Sequence, residues 1–172
     1  MNITTALALA LPLLAGSSSP RETLYPLLSG AWTGALEYQE YQPPHDRIRR
    51  PATATIETAP DGSSVVLHFV FDDGGKVVKS DERLALDASG DTLVWGSLSE
   101  KRPQSYTVRA MITTGGSTTL TAEGEGNDDG QPVTLRETFT IGADSIQILR
   151  EVRRKGGAAF AFRHVYTFRR KP

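Results

Sequence analysis

Residues 132–170 read PVTLRETFTIGADSIQILREVRRKGGAAFAFRHVYTFRR. Apolar residues occupy alternate positions in three runs, at 132–141, 145–153 and 158–170, which is the pattern of β-strands with one buried face. The segments between them, Gly142-Ala143-Asp144 and Gly156-Gly157, are typical of tight turns. This stretch therefore predicts a meander of three antiparallel strands.

The same pattern extends back to residue 31, where short β-branched and aromatic runs alternate with Gly, Asp, Asn and Pro clusters. Further strands are predicted at 31–41, 50–58, 64–72, 75–86, 91–98, 104–113 and 117–125. Sequential hairpins of this number leave two costly edges unless the sheet closes. We therefore expect an all-β fold, an up-and-down antiparallel barrel of about ten strands (8–10).

A short helical turn is expected before the first strand, at residues 20–28. Ser19 is a candidate N-cap, Glu22 lies three residues later as in a capping box, and Pro20 suits the first turn. Pro26 is expected to limit this helix to one or two turns.

The chain begins with a pattern typical of secretion signals. Residues 7–15, LALALPLLA, form an apolar run too short to span a membrane, and small residues suited to signal peptidase follow it. We interpret residues 1–19 as a signal peptide and residues 20–172 as one barrel domain. The mature protein is then expected to be periplasmic or secreted, without a transmembrane segment.

Composition excludes several classes of function. The 172 residues carry 19 basic and 20 acidic side chains, a formal net charge of −1, so the chain lacks the positive field that attracts nucleic acid. Because there is no cysteine, disulfides, thiolate metal sites and cysteine nucleophiles are excluded. Nothing in the composition fixes an oligomeric state.

A short motif at the start of the first strand resembles the lipocalin and calycin group of barrels. Gly30-x-Trp32-x-Gly34 opens that strand, and Arg169 and Arg170 end the last one. In that group the tryptophan lies low in the barrel, commonly covered by an arginine from a late strand. The run 28–38, LSGAWTGALEY, is also similar to uncharacterised exported lipocalin-like proteins of bacteria. The resemblance implies a fold and no established chemistry.

Ionisable side chains share the apolar parity of the last three strands. Glu137 alternates with Val133, Leu135, Phe139 and Ile141; Arg150 alternates with Ile146, Ile148 and Val152; and His164 alternates with Phe160, Phe162, Tyr166 and Phe168. A turn at 142–145 that pairs Ile141 with Ile146 would place Glu137 opposite Arg150. Because a charge on a buried face needs a partner, we expect Glu137, Arg150 and His164 to converge.

The inward aromatic residues and this charged group suggest a lumen that binds a small apolar or amphipathic ligand, without catalysis and without a cofactor. The interior of the sixth strand is expected to include Ala110 and Ile112, with Phe139 as a further lining residue. The candidate ligand-binding residues are Trp32, Tyr38, Tyr106, Glu137, Arg150, Phe162, His164 and Tyr166.

Alternatives remain open. A closed, packed barrel could act as an envelope interaction protein through basic residues. Those residues are Arg150, Arg153, Arg154, Lys155, Arg169, Arg170 and Lys171, and Arg47, Arg49 and Arg50 form a second basic run. Some ten-stranded calycin-type barrels resembling nitrobindin hold haem through one late histidine, and here that implies His164. No catalytic motif is complete, since Glu137 and His164 have no nucleophile beside them.

Overall fold

The computed structural model of the protein describes residues 19–100 and 103–172. A short helix precedes a closed antiparallel barrel in which each strand pairs with its neighbours in sequence and the first pairs with the last. The elements are α1 (Pro20–Leu28), β1 (Gly30–Gln39), β2 (Arg47–Thr58), β3 (Val65–Asp73), β4 (Lys76–Leu86), β5 (Thr92–Ser97), β6 (Gln104–Thr114), β7 (Ser117–Asp128), β8 (Gln131–Ile141), β9 (Ser145–Arg154) and β10 (Ala161–Arg170). The all-β barrel predicted from the alternation is confirmed.

Helix α1 closes one end of the barrel, which we call the floor. Ser19 and Glu22 form the expected capping box, with the Ser19 backbone N–H donating to Glu22 Oε2 at 2.9 Å. The Tyr25 hydroxyl fixes the helix to the barrel, because it accepts from the Leu86 backbone N–H at 2.9 Å. The helix spans Pro20–Leu28, the residues predicted for it, and continues through Pro26.

The barrel interior next to the floor is filled by its own side chains. Trp32 is fully buried, its indole Nε1 donates to the Leu28 carbonyl at 2.8 Å, and the Arg170 guanidinium lies 4.2 Å from the ring centroid. This is the arrangement implied by the lipocalin resemblance. Other fully buried side chains of this half include Leu67, Phe69, Leu84, Trp95, Leu120, Phe139 and Phe168.

Two β-bulges change which residues face inward. An extra residue in β6, Arg109, moves Met111 to the position opposite Leu120, so Ile112 points to solvent and is 60 % exposed. The prediction that Ala110 and Ile112 line the interior was therefore wrong, since Ala110 pairs with the outward-facing Thr121. Alternation alone cannot reveal such an insertion, because one extra residue reverses every later side chain of the strand.

The second bulge lies in β10 at Arg163 and affects a predicted ligand-binding residue. Phe162 pairs with the outward-facing Glu151, and its ring lies 4.0 Å from the Arg47 guanidinium. The predicted inward parity of Phe162 and Phe160 was wrong, since Phe160 packs outside against Arg136 at 3.7 Å. From His164 onward the predicted parity holds.

The predicted signal peptide, residues 1–19, lies outside the described residues apart from Ser19. Among the residues that the structure describes, no helix is long and apolar enough to cross a membrane.

Candidate functional site

The structure brings Glu137, Arg150 and His164 together on three neighbouring strands. The Gly142 turn pairs Ile141 with Ile146, which places Glu137 of β8 opposite Arg150 of β9, and Arg150 opposite His164 of β10. The predicted convergence of these three residues is confirmed. They lie in the half of the barrel farther from α1, whose open end we call the mouth.

Glu137 is fully buried and anchors this group. Arg150 Nε donates to Glu137 Oε1 at 2.5 Å, and the Tyr106 hydroxyl donates to the same oxygen at 3.3 Å. The other oxygen, Oε2, has no hydrogen-bond partner among the described residues. Burial raises the pKa of Glu137, and the Arg150 guanidinium opposes that shift by stabilising the carboxylate.

His164 faces the interior as a neutral imidazole. Its ring lies edge-on to Tyr166 at a centroid distance of 5.7 Å, and within the described part of the chain it makes no hydrogen bond. Burial lowers the pKa of His164 to about 3, and the positive charges of Arg150 and Arg163 add to this effect. At neutral pH the ring therefore offers an uncharged nitrogen lone pair and one N–H donor.

A second carboxylate, Glu82 of β4, faces the same group and was missed by the sequence reasoning. Its register partner on β3 is the buried Leu67, and the next inward residue on its own strand is the buried Leu84. Burial raises the pKa of Glu82 to about 7, an effect that Arg150 reduces and Glu137 increases. Glu82 has the same strand parity as the apolar Leu84 and Leu86, and this pattern in the sequence could have identified it as an inward residue. We call Glu82, Tyr106, Glu137, Arg150 and His164 the lumen cluster.

The lumen cluster remains in contact with water. Although it faces the interior of a closed barrel, the Arg150 side chain is 27 % exposed, while Glu137 beneath it is 0 % exposed. Glu82 and His164 are half-buried. Solvent therefore enters the mouth half of the barrel as far as this layer.

One further ion pair and a hydrogen bond to it lie between the lumen cluster and the mouth. Arg50 lies 3.5 Å from Asp73, which also accepts a hydrogen bond from the Tyr38 hydroxyl at 3.0 Å. Tyr38 itself lies opposite His164 in the register of β1 and β10 and faces the lumen in the mouth half of the barrel. These contacts give the mouth half of the barrel a polar and aromatic lining.

The bulged Arg163 forms a bridge at the mouth. Its Nε lies 3.0 Å from Asp128 Oδ1 and 3.0 Å from the Tyr41 hydroxyl, and its Nη1 donates to the Gln39 carbonyl. The Tyr41 hydroxyl donates to Asp128 at 2.7 Å. This bridge connects β10 with the end of β7, the end of β1 and the loop after β1.

A recess of about 480 Å³ lies beside this bridge. Its wall includes Val152, the inward residue that follows Arg150 on β9, and Ala161, which pairs with Val152. The recess therefore reaches the layer directly above the lumen cluster. Its other lining residues are Gln39, Glu40, Tyr41, His45, Asp128, Asp129, Arg154, Gly157, Ala159, Phe162 and Arg163.

The remaining predicted residues occupy different parts of this arrangement. Phe162 lines the mouth recess, Tyr106 bonds to Glu137, and Tyr166 stacks on Phe69 at 4.5 Å. Trp32 lies at the floor under Arg170 and is not brought to the lumen cluster. The ligand-binding role assigned to these residues stays a prediction.

The predicted basic surface is divided between the two ends of the barrel. Arg154 ends β9 at the mouth and Lys155 follows it, whereas Arg169 pairs with Ser145 near the floor. Arg150 faces the interior instead of the surface. Within the described residues, no group of three or more His, Asp or Glu side chains is arranged to hold a metal ion.

Comparison with known proteins adds information about the fold. No protein-family model matches the chain, and neither does any curated protein. The crystal structure of Rv2717c from M. tuberculosis is similar, with a TM-score of 0.64 and 13% sequence identity, over 91% of this chain and 100% of that chain. At this identity the likeness shows a shared barrel architecture and nothing about chemistry.

Proposed function

We propose that this chain is an exported barrel that binds a small amphipathic molecule at its mouth without converting it chemically. The leader pattern of residues 1–19 supports export. The observation that carries the binding proposal is that the floor half is packed, while charged side chains of the lumen cluster remain wet directly below a recess. A small number of placed polar groups in a pocket is the usual means of orienting a guest.

The proposed orientation follows from the packing. Trp32, Phe69 and Phe139 fill the floor half, so it has no space for an apolar chain. The polar group of the guest is therefore placed inward, against the lumen cluster. Its apolar part lies in the mouth recess against Val152, Ala161 and nearby aromatic rings.

Isothermal titration with three eight-carbon probes, 1-octanol, octylamine and octanoate, tests this proposal. We expect at least one probe to bind with 1:1 stoichiometry. Ala161→Trp, which adds an indole inside the recess, should weaken binding by at least about tenfold. Ala158→Trp is the matched control, because Ala158 lies in the same hairpin but does not line the recess. Absence of binding by all three probes, or equal binding by both variants, would refute the proposal.

Haem is a second candidate guest, and the state of His164 favours it. A neutral imidazole without a hydrogen bond among the described residues is the form that binds iron, and His164 would supply that ligand. Haem would bring a redox-active iron to the lumen. Titration with haemin should then produce a Soret band that is lost in His164→Ala and kept in His68→Ala, a surface control. A band unaffected by His164→Ala would exclude this site.

A further inference from the structure

Of the two carboxylates in the lumen cluster, Glu82 makes no ion pair within 4.0 Å with any described residue, whereas Glu137 is paired with Arg150. Three of the inward arginines of the mouth half have an acidic partner of their own among the described residues, whereas the exposed Arg154 at the end of β9 has none. The pairs are Arg150 with Glu137 at 2.5 Å, Arg50 with Asp73 at 3.5 Å, and Arg163 with Asp128 at 3.0 Å. Glu82 is absent from these pairs, and its hydrogen-bond partner is the Ser80 hydroxyl at 3.5 Å.

A second acceptor in the same layer is also unsatisfied. Glu137 Oε2 is buried and accepts no hydrogen bond from any described residue, although Oε1 of the same carboxylate accepts two. Leaving a buried carboxylate oxygen without a donor is costly, so a guest that supplies an N–H donor would gain that interaction. His164, uncharged, contributes no positive charge to the layer.

Resting on the function proposed above, we propose that the guest is a cationic amphipathic molecule whose ammonium group is held by Glu82 and Glu137 Oε2. An ammonium group carries three N–H donors and a single positive charge, which matches one unpaired carboxylate and one free acceptor oxygen. An anionic guest would instead face the negative charge of Glu82, while the Nε of the Arg150 guanidinium is already paired with Glu137. The charge of the layer thus selects the chemical class of the guest.

The charge on Glu82 depends on the groups that face it from the surrounding strands. These groups are Arg150 on β9, Glu137 on β8, Tyr106 on β6, Tyr166 on β10 and Glu100 after β5. The tyrosines stay neutral because burial raises the pKa of each. An alkylamine remains protonated well above neutral pH, so a change in its affinity between pH 5.5 and 8.5 reports on a protein carboxyl.

The test compares the same three probes in the wild type, Glu82→Gln and Glu57→Gln, the last being an exposed glutamate on the outer face of β2. In the wild type at pH 8.5, octylamine should bind at least about tenfold more tightly than octanol, and this preference should shrink at pH 5.5. Glu82→Gln should lose both the preference and its pH dependence. Glu57→Gln should keep them.

Two further measurements separate this inference from the binding proposal and from misfolding. Glu82→Gln should bind octanol as the wild type does, and Glu82→Asp, which keeps the carboxylate, should retain a preference for octylamine. If no probe binds, the proposed function fails. If probes bind but octanoate or octanol equals octylamine, or if Glu82→Gln keeps the preference, only the cationic assignment is overturned.

Discussion

The free energy of unfolding of Glu82→Gln, taken relative to that of the wild type, should be higher at alkaline pH than at acidic pH. Burial raises the pKa of Glu82 to about 7 from an ordinary value of 4.5. Between these values the folded state binds more protons than the unfolded state, so the wild type loses stability as pH rises through that window. Gln mimics the protonated, neutral side chain, so the Glu82→Gln variant does not lose stability in this pH window.

The size of the effect follows from the shift in pKa. From pH 5 to pH 8, a shift from 4.5 to 7 corresponds to at most about 2.5 kcal/mol. Because Glu82 is half-buried and partly screened by water, we expect about 1–2 kcal/mol. Urea unfolding of both proteins at pH 5 and pH 8 gives this difference, and other titrating groups cancel in the comparison. Glu57→Gln should show no such change.

An equal difference in stability between Glu82→Gln and the wild type at both pH values would contradict the reasoning. It would mean that Glu82 ionises in the folded protein as it does in water. The charge argument for a cationic guest would then lose the buried carboxylate on which it depends.

Other substitutions test the rest of the site and the barrel. Arg150→Gln should cost about 3–5 kcal/mol in urea unfolding because it leaves Glu137 buried without its cation, and the double variant with Glu137→Gln should recover much of this loss. Gly34→Ala should lower the yield of folded protein in solubility and circular dichroism measurements, because a Cβ there would overlap the Thr167 carbonyl of β10. His164→Gln should reduce acid destabilisation between pH 6.5 and about 3 in pH-dependent thermal unfolding, because the folded protein keeps His164 neutral while the unfolded chain binds a proton.

Alternation and turn chemistry were sufficient to predict the barrel. Tight turns such as Gly142-Ala143-Asp144 connect strands whose parity is easily read, and each hairpin register follows from its turn. The pairing of Glu137 with Arg150 could be predicted for this reason, since only one short turn separates their strands. The inward facing of His164 could also be predicted, because β10 has a long apolar face after its bulge.

The predictions that were wrong concern residues at β-bulges, and a contact that was missed joins strands that are distant in sequence. The bulges at Arg109 and Arg163 reverse the facing of Ile112 and Phe162, and no periodicity marks their positions. The Arg163 bridge to Asp128 joins strands that are not neighbours, so hairpin pairing could not reveal it. Glu82 differs from these cases, because its inward parity with Leu84 and Leu86 is readable from the sequence.

The distribution of polarity along the barrel separates the half that stabilises the fold from the half in which we propose binding. In the floor half, apolar side chains and α1 exclude water, and this burial supplies the main favourable free energy of folding. In the mouth half, Arg150 and Glu137 form a pair that hydrophobic residues of similar size would often match or exceed in stability. Glu82 adds a further cost when it ionises. A barrel that needed only to stay folded would gain by replacing these groups, whereas a barrel that orients a polar guest requires them.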